Sequence, residues 1–96
     1  MQVQLKHNAS YYFDSLEEEK LFSNFEGIKE MSKYDYFHAE ENGYNTEVTT
    51  WLHLKGGQIF DFIKEEEDSR YSGGAAYVLK LNGVELKISK SLLKIS

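Results

Sequence analysis

The sequence predicts an α+β fold, with one N-terminal helix packed on a curled antiparallel β-sheet of about four to six strands built from hairpins. Three observations predict it. A run after Asp14 has helical spacing and capping residues at its start. Beyond Gly27 the apolar period shortens from about 3.6 residues to about 2. The dipeptides Asn42-Gly43, Gly56-Gly57 and Asn82-Gly83 then stand where two-residue hairpin turns would, because Asn and Gly tolerate positive φ.

Taken in order, Val3 and Leu5 alternate with Gln2 and Gln4, which predicts a short strand. Residues 14–27 predict the helix. Ser15 caps it, Glu18 stands at the capping-box position, and Glu17, Glu18 and Glu19 fill the first turn, where the helix dipole favours acids. Leu21, Phe22 and Phe25 share one side, and Gly27 ends the run. The glutamates of this turn are therefore explained structurally.

Arithmetic around each turn then predicts the pairing. About Asn82-Gly83, Leu81 faces Val84, Leu79 faces Leu86 and Tyr77 faces Ile88, with Lys80 against Glu85 on the opposite face. About Asn42-Gly43, Phe37 faces Val48 and Tyr34 faces Trp51. About Gly56-Gly57, Leu54 faces Ile59, His53 faces Phe60 and Trp51 faces Phe62. One face then carries Tyr34, Tyr36, Trp51, His53, Phe60 and Phe62. The other carries Phe37, Val48, Leu52, Leu54, Ile59 and Ile63, so both faces are apolar. A single helix covers one face only. The sheet must curl, or its second face must meet another copy or a partner. Residues 58–68 also fit a helix, since Ile59, Phe62, Ile63 and Glu66 have helical spacing. The strand is favoured because Phe60 would sit awkwardly on that helix.

Ninety-six residues predict a single domain, 1–96. A hydrophobic fraction of 41% and an aromatic fraction of 15% suffice for a core and argue against disorder. The absence of cysteine removes disulfides and thiolate chemistry and suits a cytoplasmic location. No apolar run approaches the length of a membrane span, and residues 1–10 do not read as a signal peptide.

Charge is unevenly distributed over a net −5. Residues 14–47 hold ten acids and three lysines, residues 61–68 five acids and one lysine, and residues 70–96 five bases and one acid. Direct nucleic-acid binding rests on Lys and Arg displacing counterions, so this balance disfavours it. It suits a protein partner with a basic surface.

The chemistry of a catalyst is not legible. His38-Ala-Glu-Glu-Asn42 lacks the second histidine of a zinc-binding His-Glu-x-x-His pattern. In the expected hairpin His38 faces Glu47 as an ordinary surface pair. Ser72-Gly-Gly74 lacks the Lys-Ser/Thr of a phosphate loop, and no Gly-x-Ser-x-Gly elbow occurs. A non-enzymatic protein without metal or cofactor is expected.

One stretch stands out. Residues 63–74 place Glu65, Glu66, Glu67 and Asp68 in a row, then Arg70 and Tyr71, then Gly73 and Gly74. As a connection of about eleven residues it exceeds the usual hairpin length, and long loops are more often functional. It reads as an acidic, mobile arm anchored by Arg70 and Tyr71, residue types in which binding energy concentrates. Glu40 and Glu41 stand behind it as further candidate contacts.

In composition and size the chain resembles the small acidic inhibitors that phages encode against host nucleases and defence complexes. It equally resembles immunity proteins that neutralise basic nuclease toxins. The resemblance implies an anti-defence or immunity function, exercised by occupying a basic groove that normally holds nucleic acid. The alternative is a self-assembling module that buries the Tyr34–Trp51–Phe62 face in a homodimer.

Overall fold

Ser15 does cap a helix. Its side chain accepts the Glu18 N–H, and the Glu18 carboxylate in turn accepts the Asp14 N–H at 3.0 Å. In the computed structural model, which describes residues 1–96, this helix is α1, Leu16–Leu21. It ends at Leu21 with Phe22 as its C-cap, short of Gly27, as Ser23 and Asn24 favour a turn.

The chain forms a small α+β fold of two antiparallel sheets, with five and three strands, and two α-helices. It divides into two compact units: Met1–Asn8 with Lys55–Ser96, and Ala9–Leu54.

The first unit holds β1 (Gln2–Leu5), β5 (Ile59–Glu67), β6 (Ala75–Leu81), β7 (Val84–Ser89) and β8 (Leu93–Ile95). Their order is β7-β6-β5-β1-β8. The hairpin at Asn82-Gly83 forms in the expected register, Leu81 to Val84, Lys80 to Glu85, Leu79 to Leu86 and Tyr77 to Ile88. Asn82 and Gly83 both take positive φ, as such a turn demands. β5 changes partner along its length. Ile59–Asp61 pair with β1, and from Asp61 onward the strand pairs with β6 across an irregularity at Phe62–Lys64. The edge strands β7 and β8 are joined by a three-residue 3-10 turn, Lys90–Leu92. Val3, Leu5, Phe60, Leu79, Leu86, Ile88 and Leu93 are buried, each apolar side chain contributing roughly 1.5–3 kcal/mol.

The second unit holds β2 (Ala9–Tyr12), α1, β3 (Ile28–Glu30), α2 (Lys33–Glu41) and β4 (Thr50–Leu54). Its sheet runs β2-β4-β3. Alternation along β4 sends Leu52 and Leu54 inward. Phe13 stacks on Phe22 with ring centroids 5.5 Å apart, and Phe25 meets Phe22 edge-on at 4.8 Å. Leu21, expected on the same apolar side, is exposed. Glu19 reaches into the sheet and accepts the Thr49 and Thr50 N–H groups and the Thr50 hydroxyl. Gly27 is not a helix terminator. It enters β3 at φ +95°, with its carbonyl accepting the His53 N–H at 2.9 Å.

Three sequence expectations are corrected. Residues 33–41 form a helix, not a strand, so the Phe37–Val48 and Tyr34–Trp51 pairs and the Asn42-Gly43 hairpin do not exist. The cause is local: Ser32 and Asp35 make a full capping box, each side chain accepting the other's N–H. The alternation of Tyr34, Tyr36 and Phe37 only imitates a strand. Gly56-Gly57 is a turn but not a hairpin, because Leu5 accepts the Gly57 N–H and donates to Gln58. β4 and β5 therefore join different sheets, and Leu54–Ile59, His53–Phe60 and Trp51–Phe62 do not pair. Finally, residues 59–67 are strand as favoured, but the strand continues through Glu67. The expected eleven-residue loop shrinks to Asp68–Gly74, part of which is a 3-10 turn at Ser72–Gly74.

Candidate protein-binding surface

The acidic stretch of the first unit is tied down at most positions. Glu65, Glu66 and Glu67 stand in β5 opposite Tyr77, Ala76 and Ala75. Glu65 pairs with Lys90 at 3.2 Å. Glu66 lies between Lys87, at 2.8 Å, and Lys64, at 3.2 Å. These bonds, led by the one from Lys87, hold the Glu66 carboxyl below the usual range and raise Lys87. Asp68 receives the Arg70 guanidinium and the Arg70 backbone N–H, and its pKa falls to about 2. The Tyr71 N–H donates to the Asp68 carbonyl at 3.1 Å. The expected mobile acidic arm is thus corrected to a strand end and a short tied turn.

A cleft of about 860 Å³ opens beside this turn. Glu65, Glu67 and Asp68 line it together with Lys6, Lys90 and Lys94, and the Lys90 ammonium lies 5.8 Å from the centre of the Tyr77 ring. Three carboxylates and three ammonium groups leave it electrically balanced.

The second unit is different. Ala9–Leu54 carries ten acids and three lysines, net −7, whereas the first unit carries six acids and eight bases, net +2. All four ion pairs lie in the first unit. Glu18, Glu19 and Asp35 serve the second unit internally. Burial opposes the Glu19 charge, yet hydrogen bonds from Thr50 and Thr49 outweigh it and lower its pKa. The bond from the Ser32 backbone lowers that of Asp35. Asp14, Glu17, Glu26, Glu30, Glu40, Glu41 and Glu47 are exposed and form no ion pair.

Glu40 and Glu41 end α2 at its negative pole, where the dipole disfavours an acid by roughly 0.3–1 kcal/mol. On the same helix Tyr34 and Phe37 are 77% and 64% exposed. Their spacing of three residues makes them surface neighbours. Tyr34 stacks on His38 at 6.4 Å and 12°, and His38 leans on Tyr12 at 6.0 Å. Tyr12 stacks on Tyr44 at 5.0 Å and approaches Trp51, which meets His53 edge-on. Burial, followed by the Asp35 charge, raises the Tyr12 pKa.

This ladder does gather Tyr34, Trp51 and His53, as the sequence suggested, but through His38 and Tyr12. Phe60 and Phe62 belong to the other sheet. His38 meets Asn42 and the tyrosines rather than Glu47. The Trp51 Nε1 is buried without a hydrogen-bond partner. Tyr44 and Phe37 were missed as surface residues, and His38 was read as a surface residue with the wrong partner. The Ser32-x-x-Asp35 capping spacing was the signal that would have placed Phe37 and His38 on a helix.

No group of three or more His, Asp or Glu side chains is placed to hold a metal ion, and no helix is long and apolar enough to cross a membrane. No family model, curated protein or solved structure matches this chain.

Proposed function

We propose that the protein is a small, non-enzymatic, cytoplasmic protein-binding module that inhibits a larger basic protein that handles nucleic acid, as a phage anti-defence inhibitor or an immunity protein does. The observation that carries this reading is the net −7 of Ala9–Leu54, with no ion pair inside it and with Tyr34 and Phe37 turned to solvent. Free carboxylates steer a basic partner and raise the association rate, and exposed aromatics supply contact area.

The candidate contacts differ in weight. Glu40 and Glu41 are free of counterions and carry more of the steering than Glu65, Glu66 and Asp68, whose fields are offset by lysines and Arg70. Glu67, Arg70 and Tyr71 complete the first unit's contribution. A curled five-stranded sheet gives that unit a firm frame. The link between β7 and β8 supports the curl: flat, the two edges would stand about 19 Å apart, and the four Cα–Cα steps from Ser89 to Leu93 span at most about 14 Å.

Self-assembly is the weaker reading. Phe62 and Trp51 stand in different sheets, so the single sheet face expected for a homodimer is not formed, and apposing two α2 surfaces would bring like charges together. Affinity capture with the tagged full chain, after nuclease treatment and at low and moderate salt, tests the proposal. A single basic protein should be retained, should lose its nucleic-acid activity on binding, and should be released by Glu40→Lys/Glu41→Lys. Retention unchanged by that reversal, or recovery of the bait alone as an oligomer, would reject the reading.

A further inference from the structure

The exposed rings of α2 and the acids at its end have a more specific meaning. We infer that Tyr34, Phe37, Glu40 and Glu41 form a receiving surface for arginine side chains of the partner. The inference rests on the acidic-surface reading above and narrows it to one cation.

Three observations converge on α2. Tyr34 has one ring face against His38, and with 77% of the residue exposed the opposite face is open. Phe37 stands one turn further on at 64% exposure, so two exposed rings follow one another along one side of the helix. Glu40 and Glu41 follow at the helix terminus without an ion pair, and because the carbonyls of His38, Ala39 and Glu40 already accept the N–H groups of Asn42, Tyr44 and Gly43, the two carboxylates carry the negative charge there. Asp35 is engaged by Ser32 and is not part of the receiving set. Lys33, one position before Tyr34, is the only lysine or arginine on this helix and lies at the end opposite the glutamates, while His38 stands in the last turn with its ring against Tyr34.

The occupant follows from charge and shape. A unit of net −7 attracts cations, which excludes an acidic partner. Between the two cationic side chains, arginine fits better. A guanidinium is planar, weakly hydrated, stacks on an aromatic ring and presents paired donors to a carboxylate at once. A lysine ammonium satisfies the carboxylate but stays hydrated and gains less from the rings.

The test uses the full chain, labelled for NMR, and two blocked probes of equal charge, Gly-Arg-Gly-Arg-Gly-Arg-Gly and its lysine counterpart. The arginine probe should shift the amides of Tyr34, Phe37, Glu40 and Glu41 and bind about threefold to tenfold tighter than the lysine probe. Phe37→Ala, and separately Tyr34→Ala, should bring the arginine probe to the lysine level with the circular dichroism unchanged. Both rings are exposed, so either variant alone keeps the test open. Equal affinity of the probes would overturn the arginine assignment and leave the acidic-surface reading standing. Shifts confined to Glu65–Asp68 would overturn the site. Absence of binding by either probe at low salt would overturn both.

Discussion

Arg70 holds Asp68 with two prongs, Nη2 to Oδ2 at 2.7 Å and Nε to Oδ1 at 3.0 Å, and adds its own backbone N–H to Oδ1 at 3.0 Å. The pair turns the end of β5 back toward Ser72–Gly74, where Asp68 donates its N–H to the Gly74 carbonyl. A carboxylate with three donors from one residue is part of the turn's construction.

That turn should loosen in acid. The Asp68 pKa is lowered from 3.8 to about 2 by the Arg70 bonds, so the folded state favours the charged form. A lowered pKa contributes stability above the unfolded value and loses it as pH falls through the folded one. The contribution should be intact above about pH 4 and fade toward pH 2. Carboxyl-detected NMR of Asp68 should show the low midpoint. A midpoint near 3.8 would mean that Arg70 does not hold it in solution. Glu66, lowered by Lys87 and Lys64, should shift in the same direction.

Gly27→Ala should destabilise strongly. A Cβ there would come within 2.6 Å of the His53 carbonyl oxygen, on a backbone at φ +95°. The left-handed conformation alone costs about 1–2 kcal/mol, and the collision adds to it. Gly43→Ala is the control, since Gly43 has φ +74° and open space around it. Urea denaturation should show the first variant losing clearly more than the second. Equal losses would mean that the strand gives way without cost.

Ser32→Ala should cost about 1 kcal/mol by removing the α2 cap. The loss should concentrate in residues 33–41 and speed their amide exchange. If those amides are unchanged, the box does not hold the helix. Because Tyr34 and Phe37 depend on this helix for their alignment, the variant should also weaken the arginine probe.

Glu19→Ala should cost about 1–3 kcal/mol by stranding the Thr49 and Thr50 donors. Glu17→Ala, an exposed neighbour with no such partners, should stay within about 0.5 kcal/mol. Thermal unfolding of the two variants compares them directly. A loss at Glu17 as large as that at Glu19 would reduce Glu19 to a helix-dipole residue.

The local signals were the legible part. The β6–β7 hairpin was readable residue for residue, because a two-residue turn fixes register once Asn82-Gly83 is found. The Ser15 cap and the β1 alternation were readable for the same reason: their partners lie within a few residues. The Glu65–Tyr71 stretch was visible as charge, but its neutralisation was not, since Lys87 and Lys90 lie about twenty residues further along.

The sequence by itself determined the class of fold, the last hairpin and the segregation of negative charge into the segment 14–47, and it favoured a strand from Ile59 without its continuation through Glu67. Each depends on neighbours in the chain or on composition alone. Only the tertiary structure decided that β4 and β5 part company at Gly56-Gly57. There the N–H of Gly57 can be satisfied by a hairpin partner or by Leu5, more than fifty residues away, and the two answers look the same in a local pattern. It also decided that Tyr34 and Phe37 face solvent from a helix. Alternating aromatics suit a strand, but a capping box satisfies the backbone first, and the rings follow the backbone.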